Sequence, residues 1–377
     1  MKNFPVEGIS PSSYFTQTAY LDQQYIVAAP EMPITREMIA ALSEWGFTDI
    51  FSDGDPADGI PAGPQTGLEI PPGSRSDPGD SDKMQEAEKF YSSFIQYVEN
   101  LFNETAVKRT ISFNEIAEKV RSVYGYVSEN RRFLMRVRQH SEPADEKFLA
   151  FHSVHSTVIA IIIGTHLKLP HYRLIEMGVA TLLQDIGMIK LPPQCYLSRR
   201  ALTDEERRLL YTHPIQGYNI LNTSGFPPAI SMAVIEHHER ENGSGYPRRL
   251  TGDKISLYGK IAAVACSYEA ISAKRPHRKA KDSFTGMLEL LKNEGKQYDE
   301  TVIRALVYSL SVFPIGLYVL LSDGRKGQVI DINPKNPRYP VVQIFGELTP
   351  DGKNITMQTS PDELSIVRPL TPEETGE

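Results

Sequence analysis

The sequence predicts a mainly α-helical protein with a small α/β module at its N-terminus and a small antiparallel β barrel or sandwich at its C-terminus. Residues 141–313 predict the helical part, because apolar stretches of helical periodicity alternate there with short Pro or Gly breaks. Residues 314–377 predict the β part, because β-rich runs are separated by Asp-Gly turns. At 377 residues, the chain is long enough for two or three domains.

The N-terminal module is predicted to cover residues 1–53. An apolar run at residues 25–29 predicts a short strand, and Thr35 can cap a helix that ends at Gly46. Residues 47–51 predict a second strand. Because this module contains no paired catalytic groups, we interpret it as a docking or dimerisation module.

Two segments are predicted between this module and the main helical domain. Residues 54–83 are rich in Gly, Pro, Ser and Asp, so they cannot bury enough apolar surface to offset the entropy of ordering, and we interpret them as a flexible linker. Residues 84–140 are predicted to form connecting helices, because apolar residues recur there at helical spacing and Ser112 with Glu115 matches a capping box.

The C-terminal β domain is predicted at residues 314–377. Four runs have the apolar and β-branched composition of strands, at residues 317–321, 327–332, 341–345 and 355–357. The pairs Asp323-Gly324 and Asp351-Gly352 supply turn residues between them.

The composition of the chain limits the classes of partner and compartment. A net charge of −7 without a Lys- or Arg-rich block argues against a nucleic-acid partner. The only cysteines, Cys195 and Cys266, are too few for a disulfide framework and fit a reducing compartment. No apolar run reaches the length of about 18 residues that a membrane span needs. We therefore expect a cytoplasmic protein without direct membrane insertion.

Eight of the nine histidines lie between His152 and His277, which concentrates the candidate chemistry in this segment. Imidazole and carboxylate groups are donors that suit iron, manganese or zinc, so a divalent transition metal is the expected cofactor. The groups concerned are His155, Asp185, His213, His237 and His238.

The order and spacing of these groups resemble the HD-GYP family, the cyclic di-GMP phosphodiesterase branch of the HD-domain superfamily. The match runs from about residue 151 to about residue 278, and its most specific part is His237-His238-Glu239-Arg240 with the Gly-Ser-Gly-Tyr-Pro that follows. The resemblance implies an HD-domain helical bundle over residues 141–313. It also implies two or more divalent metals, with His155, Asp185, His213, His237 and His238 as candidate metal ligands and Asp185 as the bridging carboxylate.

The same resemblance implies a set of ligand contacts. Tyr246 falls where family members stack on or hydrogen-bond the cyclic dinucleotide. Arg275-Pro276-His277-Arg278 is similar to the family's Arg-Pro-Tyr-Arg stretch, so Arg275 and Arg278 are expected to meet phosphate. The alternative is a solvated basic turn, because Lys274, Lys279 and Lys281 surround these arginines.

Three positions depart from the family pattern. Gln184 replaces the histidine of the HD pair and offers only a neutral amide oxygen. Met188 replaces a lysine that faces the scissile phosphate, and a thioether cannot stabilise developing negative charge. Cys266 replaces a metal-binding aspartate, either as a thiolate ligand or as a small buried residue. Phe151 falls where some members carry a further glutamate. The site is therefore expected to hold one metal or none.

Three functions remain open at this point. The first is a bacterial signalling protein whose degenerate HD-GYP domain binds cyclic di-GMP or a protein partner with little or no turnover. The second is an active cyclic di-GMP phosphodiesterase with an altered metal centre. The third is an interaction scaffold without ligand binding. A protein partner would bind through the N- or C-terminal module, and a homodimer is also considered.

Overall fold

The computed structural model describes the chain apart from residues 11–12, 18, 22–25, 29–33, 35, 45–46, 58–77, 140–146, 199, 273–282, 350–353, 372–373 and 375–377. The chain divides into two compact units, residues 1–69 and residues 70–377. The predicted fold class is confirmed: the chain is mainly α-helical, with small N-terminal sheets and a C-terminal antiparallel sheet.

The N-terminal unit combines short strands with one helix. Its elements are β1 (Lys2–Pro5), β2 (Tyr14–Phe15), β3 (Ala19–Tyr20), β4 (Ile26–Ala28), α1 (Arg36–Glu44), β5 (Asp49–Ser52) and β6 (Pro56–Ala57). One sheet has the strand order β1-β5-β3-β4, and β2 pairs with β6 in a second sheet. Phe15, Ile34, Leu42 and Ile50 bury their side chains between these elements. Strand β6 lies beyond residue 53, inside the range predicted as linker.

The second unit begins with a helical array. Its helices are α2 (Pro78–Lys108), α3 (Phe113–Gln139), α4 (Phe148–His166), α5 (His171–Leu182), α6 (Gln194–Leu197), α7 (Asp204–Leu210), α8 (His213–Thr223), α9 (Pro228–Glu236), α10 (Leu257–Ser272), α11 (Ser283–Lys292) and α12 (Glu300–Leu310). The first turn of α2 overlaps the predicted linker. At the start of α3, the amide of Glu115 donates to Ser112 Oγ at 3.4 Å, as the capping pattern predicted.

Helices α2 and α3 are part of the helical core rather than a connection to it. Phe94 and Val98 of α2 and Val120 and Val123 of α3 are fully buried, and they belong to the same apolar cluster as α4. The periodicity of residues 84–140 predicted their apolar faces. Those faces pack against other helices of the same domain.

Helix α4 runs through the centre of this core. By length and composition alone it could cross a membrane, but 89% of its most apolar stretch is buried within the protein. Ile159, Ile161 and Ile163 are completely buried although they do not share one helix face. A helix that is apolar on every side is typical of the centre of a large core, and α4 has that role here.

The C-terminal β domain is one five-stranded antiparallel sheet. Its strands are β7 (Tyr318–Leu321), β8 (Lys326–Asp331), β9 (Val341–Leu348), β10 (Asn354–Gln358) and β11 (Ile366–Pro369), in the order β10-β9-β8-β7-β11. The first four match the predicted runs, whereas β11 was not predicted. Val319, Val329 and Val342 join the helical core, and the buried Arg136 of α3 donates to Gln328 of β8 at 3.3 Å. The sheet therefore packs on the helices.

Candidate metal centre and ligand cavity

The candidate site forms where the ends of several helices converge. Asp185 follows α5 and begins a tight 3-10 turn over Ile186–Lys190. His213 is the first residue of α8, and His237 directly follows α9. Gly187 permits this convergence, because a Cβ at that position would lie 2.0 Å from the carbonyl oxygen of His213 and 2.6 Å from the amide nitrogen of Gly217. The turn that carries Asp185 thus packs backbone to backbone on α8.

Two histidines direct their Nε2 atoms at Asp185. The Nε2 atom of His213 lies 3.2 Å from Asp185 Oδ1, and that of His237 lies 3.7 Å from the same oxygen. The Nδ1 atoms lie 2.7 Å from backbone carbonyls, those of Leu210 and Val234 respectively, so each Nδ1 carries the proton and donates. Both Nε2 atoms are then unprotonated acceptors that lie 3.3 Å apart beside a carboxylate. Such a group is electrostatically unfavourable without a cation.

The protonation states agree with a cation site. Burial lowers the pKa of His237, and burial together with the neighbouring imidazoles lowers the pKa of His238 well below its usual value. Asp185 and His213 lie beside these two imidazoles. Within the described part of the chain, these four residues are the one set of His, Cys, Asp or Glu whose ligand atoms all lie within 4.8 Å of one another. Neutral imidazoles around an ionised carboxylate fit a divalent transition metal.

The structure corrects the prediction for the first histidine. His155 is fully buried in the helical core, where its ring stacks on Tyr91 at 4.3 Å and on Phe151 at 4.1 Å. His152, three residues earlier on α4, reaches the site instead, with Nε2 3.5 Å from Asp185 Oδ2. With His152 in place of His155, the position four residues earlier, where some HD-GYP members carry a glutamate, becomes Phe148 instead of Phe151. Phe148 lines the cavity described below.

The two substituted ligand positions meet at His152. Its Nε2 atom lies 3.3 Å from Cys266 Sγ and 3.4 Å from Gln184 Nε2. Its Nδ1 atom hydrogen-bonds the buried carboxylate of Glu269. Burial alone would lower the pKa of His152, but Glu269 and Cys266 raise it well above its usual value. Sequence reasoning missed His152 and Glu269, although Glu269 stands three residues after Cys266 and could have indicated which histidine faces α10.

A cavity of about 490 Å³ opens above these groups, within the size range of small-molecule sites. Asp185, His213, His238, His152 and Cys266 lie at its inner end, and Met188 forms part of its wall. Its remaining lining includes Tyr211, Tyr246 and three arginines, Arg200, Arg207 and Arg240. Arg275 and Arg278, which the sequence predicted as phosphate contacts, lie outside the described residues.

The Gly-Tyr-Pro loop is held by the glutamate of the His-His-Glu run. Glu239 accepts hydrogen bonds from the backbone amides of Arg248 at 2.7 Å and Leu250 at 2.8 Å. Gly245 passes so close to the start of the loop that a Cβ there would lie 2.4 Å from the carbonyl oxygen of His238. The loop thereby places the ring of Tyr246 on that of His238, with centroids 4.6 Å apart. Glu239 therefore shapes the cavity wall rather than holding a metal.

The close approach at Gly187 gives a stability prediction with a matched control. We expect Gly187→Ala to destabilise the protein by about 3 kcal/mol or more, because the methyl group would collide with the backbone of α8. Gly125→Ala, in an exposed turn of α3 where a Cβ meets nothing within 4 Å, should stabilise by about 0.5–1 kcal/mol. Urea unfolding of both variants measures the difference. Equal midpoints would contradict the backbone contact between the Asp185 turn and α8.

Comparisons with known proteins place the site in a family context. Residues 128–302 match the family model described as HD domain. The chain is 28% identical over 214 residues to the cyclic di-GMP phosphodiesterase PdeB of Borreliella burgdorferi, which covers 56% of each sequence. It is 32% identical over 201 residues to a cyclic di-GMP phosphodiesterase of Pseudomonas aeruginosa, covering 53% of this chain and 48% of that protein. The chain thus spans about half the length of these relatives.

A solved structure supports the fold over a larger part of the chain. The protein Bd1817 of Bdellovibrio bacteriovorus, described as an HDG"Y"P protein, superposes with a TM-score of 0.50. The superposition covers 81% of this chain and 97% of Bd1817 at 14% sequence identity, so it shows a shared fold.

Proposed function

We propose that the chain belongs to the HD-domain family, with a domain of the HD-GYP type, and that it is a cytoplasmic signalling protein that binds cyclic di-GMP with little or no turnover. The proposal rests first on the arrangement of His213 and His237. Both donate Nδ1–H to backbone carbonyls and turn an unprotonated Nε2 towards Asp185. Fixing an imidazole through its second nitrogen is the usual support of a metal-binding histidine.

The residues that would hold a divalent metal are Asp185, His213, His237 and His238. When bound, the metal would supply a cation to which a phosphate oxygen can bind. The surrounding cavity has space and charge for a nucleotide, since aromatic and arginine side chains line its outer part. Cyclic di-GMP is the ligand we assign, because the curated relatives are named as phosphodiesterases of this compound.

Low turnover is proposed from the chemistry of three side chains, Gln184, Cys266 and Met188, of which the first two lie beside His152 and the third lines the cavity. Gln184 presents a neutral amide beside His152, and Cys266 presents a thiol to the same imidazole nitrogen. Met188 lines the cavity with a thioether, so it cannot neutralise charge that develops on a phosphate. Gln184 and Cys266 thus change the surroundings of His152, and Met188 changes the wall of the cavity.

One observation favours the second candidate, an active phosphodiesterase with an altered metal centre. Gln184, Cys266 and Asp185 all lie 3.3–3.5 Å from His152 Nε2, so the side chains on this side of the site still converge on one point. A thiolate could replace a carboxylate there if the metal were thiophilic. Measured turnover decides between the two candidates.

The test measures binding and product formation in one experiment. Purified protein is titrated calorimetrically with cyclic di-GMP in manganese buffer, and the recovered ligand is analysed by chromatography. We expect saturable heat and intact ligand, with GMP as a control that gives no comparable heat. Release of linear dinucleotide or GMP would support the phosphodiesterase instead. If cyclic di-GMP gives no heat of binding, only the scaffold hypothesis remains.

The proposal also includes a protein partner, without identifying it. The N-terminal unit presents a small sheet and helix without a cluster of titratable groups that could hold a metal, among the residues described. We propose it, or the C-terminal sheet, as the contact for a protein partner or for a second copy of the chain. Light scattering at several protein concentrations would detect the homodimer.

A further inference from the structure

One side of α7 lines the cavity with groups that the metal site does not use. Arg207, Leu210 and Tyr211 are three and four positions apart, so they lie on the same side of the helix, and all three line the cavity. Arg208, the next residue after Arg207, is exposed and does not line it. The two neighbouring arginines therefore have different surroundings on the same short helix.

Tyr211 ends a stack of aromatic rings that starts at the metal site. The ring of His238 stacks on Tyr246 at 4.6 Å, and Tyr246 stacks on Tyr211 at 4.3 Å with an interplanar angle of 24°. Tyr211 is nevertheless 45% exposed. Since Tyr246 covers one face of its ring, the exposed area belongs to the opposite face and the edge. That outer face is a flat aromatic surface at the cavity wall.

Arg207 differs from the other two arginines of the cavity in its side-chain interactions with the described residues. Arg200 makes two 2.7 Å hydrogen bonds to the carboxylate of Glu206. Arg240 donates to the backbone carbonyl of Glu239 at 2.8 Å, with its guanidinium 5.0 Å from the ring of Tyr298. Arg207 forms no ion pair with any residue in the described ranges, and its side chain is exposed at the cavity rim. A guanidinium in this state is available to an anion.

We propose that Tyr211 and Arg207 form a nucleotide subsite, in which a purine base stacks on the outer face of Tyr211 and a phosphate binds Arg207. The subsite rests on the proposed function and extends it, because the metal ligands account for only one phosphate. A cyclic dinucleotide has two bases and two phosphates, so its second half must find partners away from the metal. Aromatic rings stack on any base, and the guanidinium fork matches two phosphate oxygens.

The test uses a cyclic dinucleotide in which one guanine is replaced by the fluorescent base 2-aminopurine. Stacking on Tyr211 should quench this fluorescence when the wild-type protein binds the probe. Tyr211→Leu should remove the quenching and weaken binding about tenfold, whereas Tyr211→Trp should keep both. Arg207→Ala should weaken binding by about ten- to a hundredfold and flatten its dependence on salt. Arg208→Ala is the matched control and should bind as the wild type does.

The outcomes separate this subsite from the proposed function. Wild-type protein that binds no cyclic dinucleotide overturns both. Wild-type protein that binds, with Tyr211→Leu still quenching and Arg207→Ala indistinguishable from Arg208→Ala, overturns the subsite alone. None of the variants alters a candidate metal ligand, so unchanged metal content and circular dichroism identify a folded protein in each case.

Discussion

Replacing Asp185 with asparagine should lower the affinity of the protein for its metal by more than about a hundredfold, because loss of even an outer partner of a metal ligand costs about 10–100-fold in metal affinity. We expect cyclic di-GMP to bind more weakly as a result, because the cation that would hold a phosphate oxygen is lost. The asparagine has the same shape but no charge. The Nε2 atoms of His213 and His237, which lie 3.2 and 3.7 Å from Asp185 Oδ1, would then face a neutral amide. A divalent cation would lose the one carboxylate in its ligand group.

The measurement is elemental analysis of the purified wild type and variant, together with calorimetry. We expect about one metal per wild-type chain, held on the histidine side of the site, and almost none in Asp185→Asn. Asp253→Asn is the control, because Asp253 is an exposed aspartate in the turn Gly252–Lys254 and does not line the cavity. An Asp185→Asn protein that retains its metal would contradict the assignment of this carboxylate as a ligand.

Substitution of the two cysteines tests whether a second metal binds on the His152 side of the site. Both Cys195 and Cys266 line the cavity, but only Cys266 is described in contact with His152. If the metal lies on the histidine side, Cys266→Ser and Cys195→Ser should leave the metal content equal to that of the wild type. Two metals in the wild type, with one lost in Cys266→Ser alone, would instead support the active enzyme.

The sequence predicted most ligands of the site because the histidines are concentrated in one segment and because their motifs resemble those of the HD-GYP family. The structure places His213 at the start of α8 and His237-His238 after the end of α9. His152 was not identified in this way. Helix α4 is buried on all sides along most of its length, so periodicity could not show whether His152 or His155 faces Asp185.

Tertiary packing decided the other differences between the predicted and the observed fold. The apolar faces of α2 and α3 were visible in the sequence, but nothing local to residues 84–140 shows that they pack on α4. Strand β11 is four residues long and ends in Pro369, so its pairing with β7 depends on a partner more than 40 positions away in sequence. Such long-range contacts have no signature in a sequence window.

Restoring the three substituted side chains together should convert the protein into an efficient phosphodiesterase. The triple variant Gln184→His, Met188→Lys and Cys266→Asp returns an imidazole, a phosphate-facing cation and a carboxylate to the pole that His152 occupies. His152 already hydrogen-bonds Glu269 through Nδ1, so its Nε2 is oriented for this role. We expect turnover of cyclic di-GMP at least about a hundredfold above the wild type, and little gain from each single change, because groups that act as a unit are strongly non-additive.

Release of linear dinucleotide or GMP in manganese buffer measures this gain, with metal content determined on the same samples. The control adds Asp185→Asn to the triple variant, which should abolish any gain because both poles of the site share that carboxylate. Wild-type turnover equal to that of the triple variant would show that Gln184, Met188 and Cys266 do not limit the reaction. A folded triple variant that binds a second metal yet remains inactive would place the limitation at the outer cavity. Tyr246 and Tyr211, whose rings stack on each other in the cavity lining, would then be the residues to vary next.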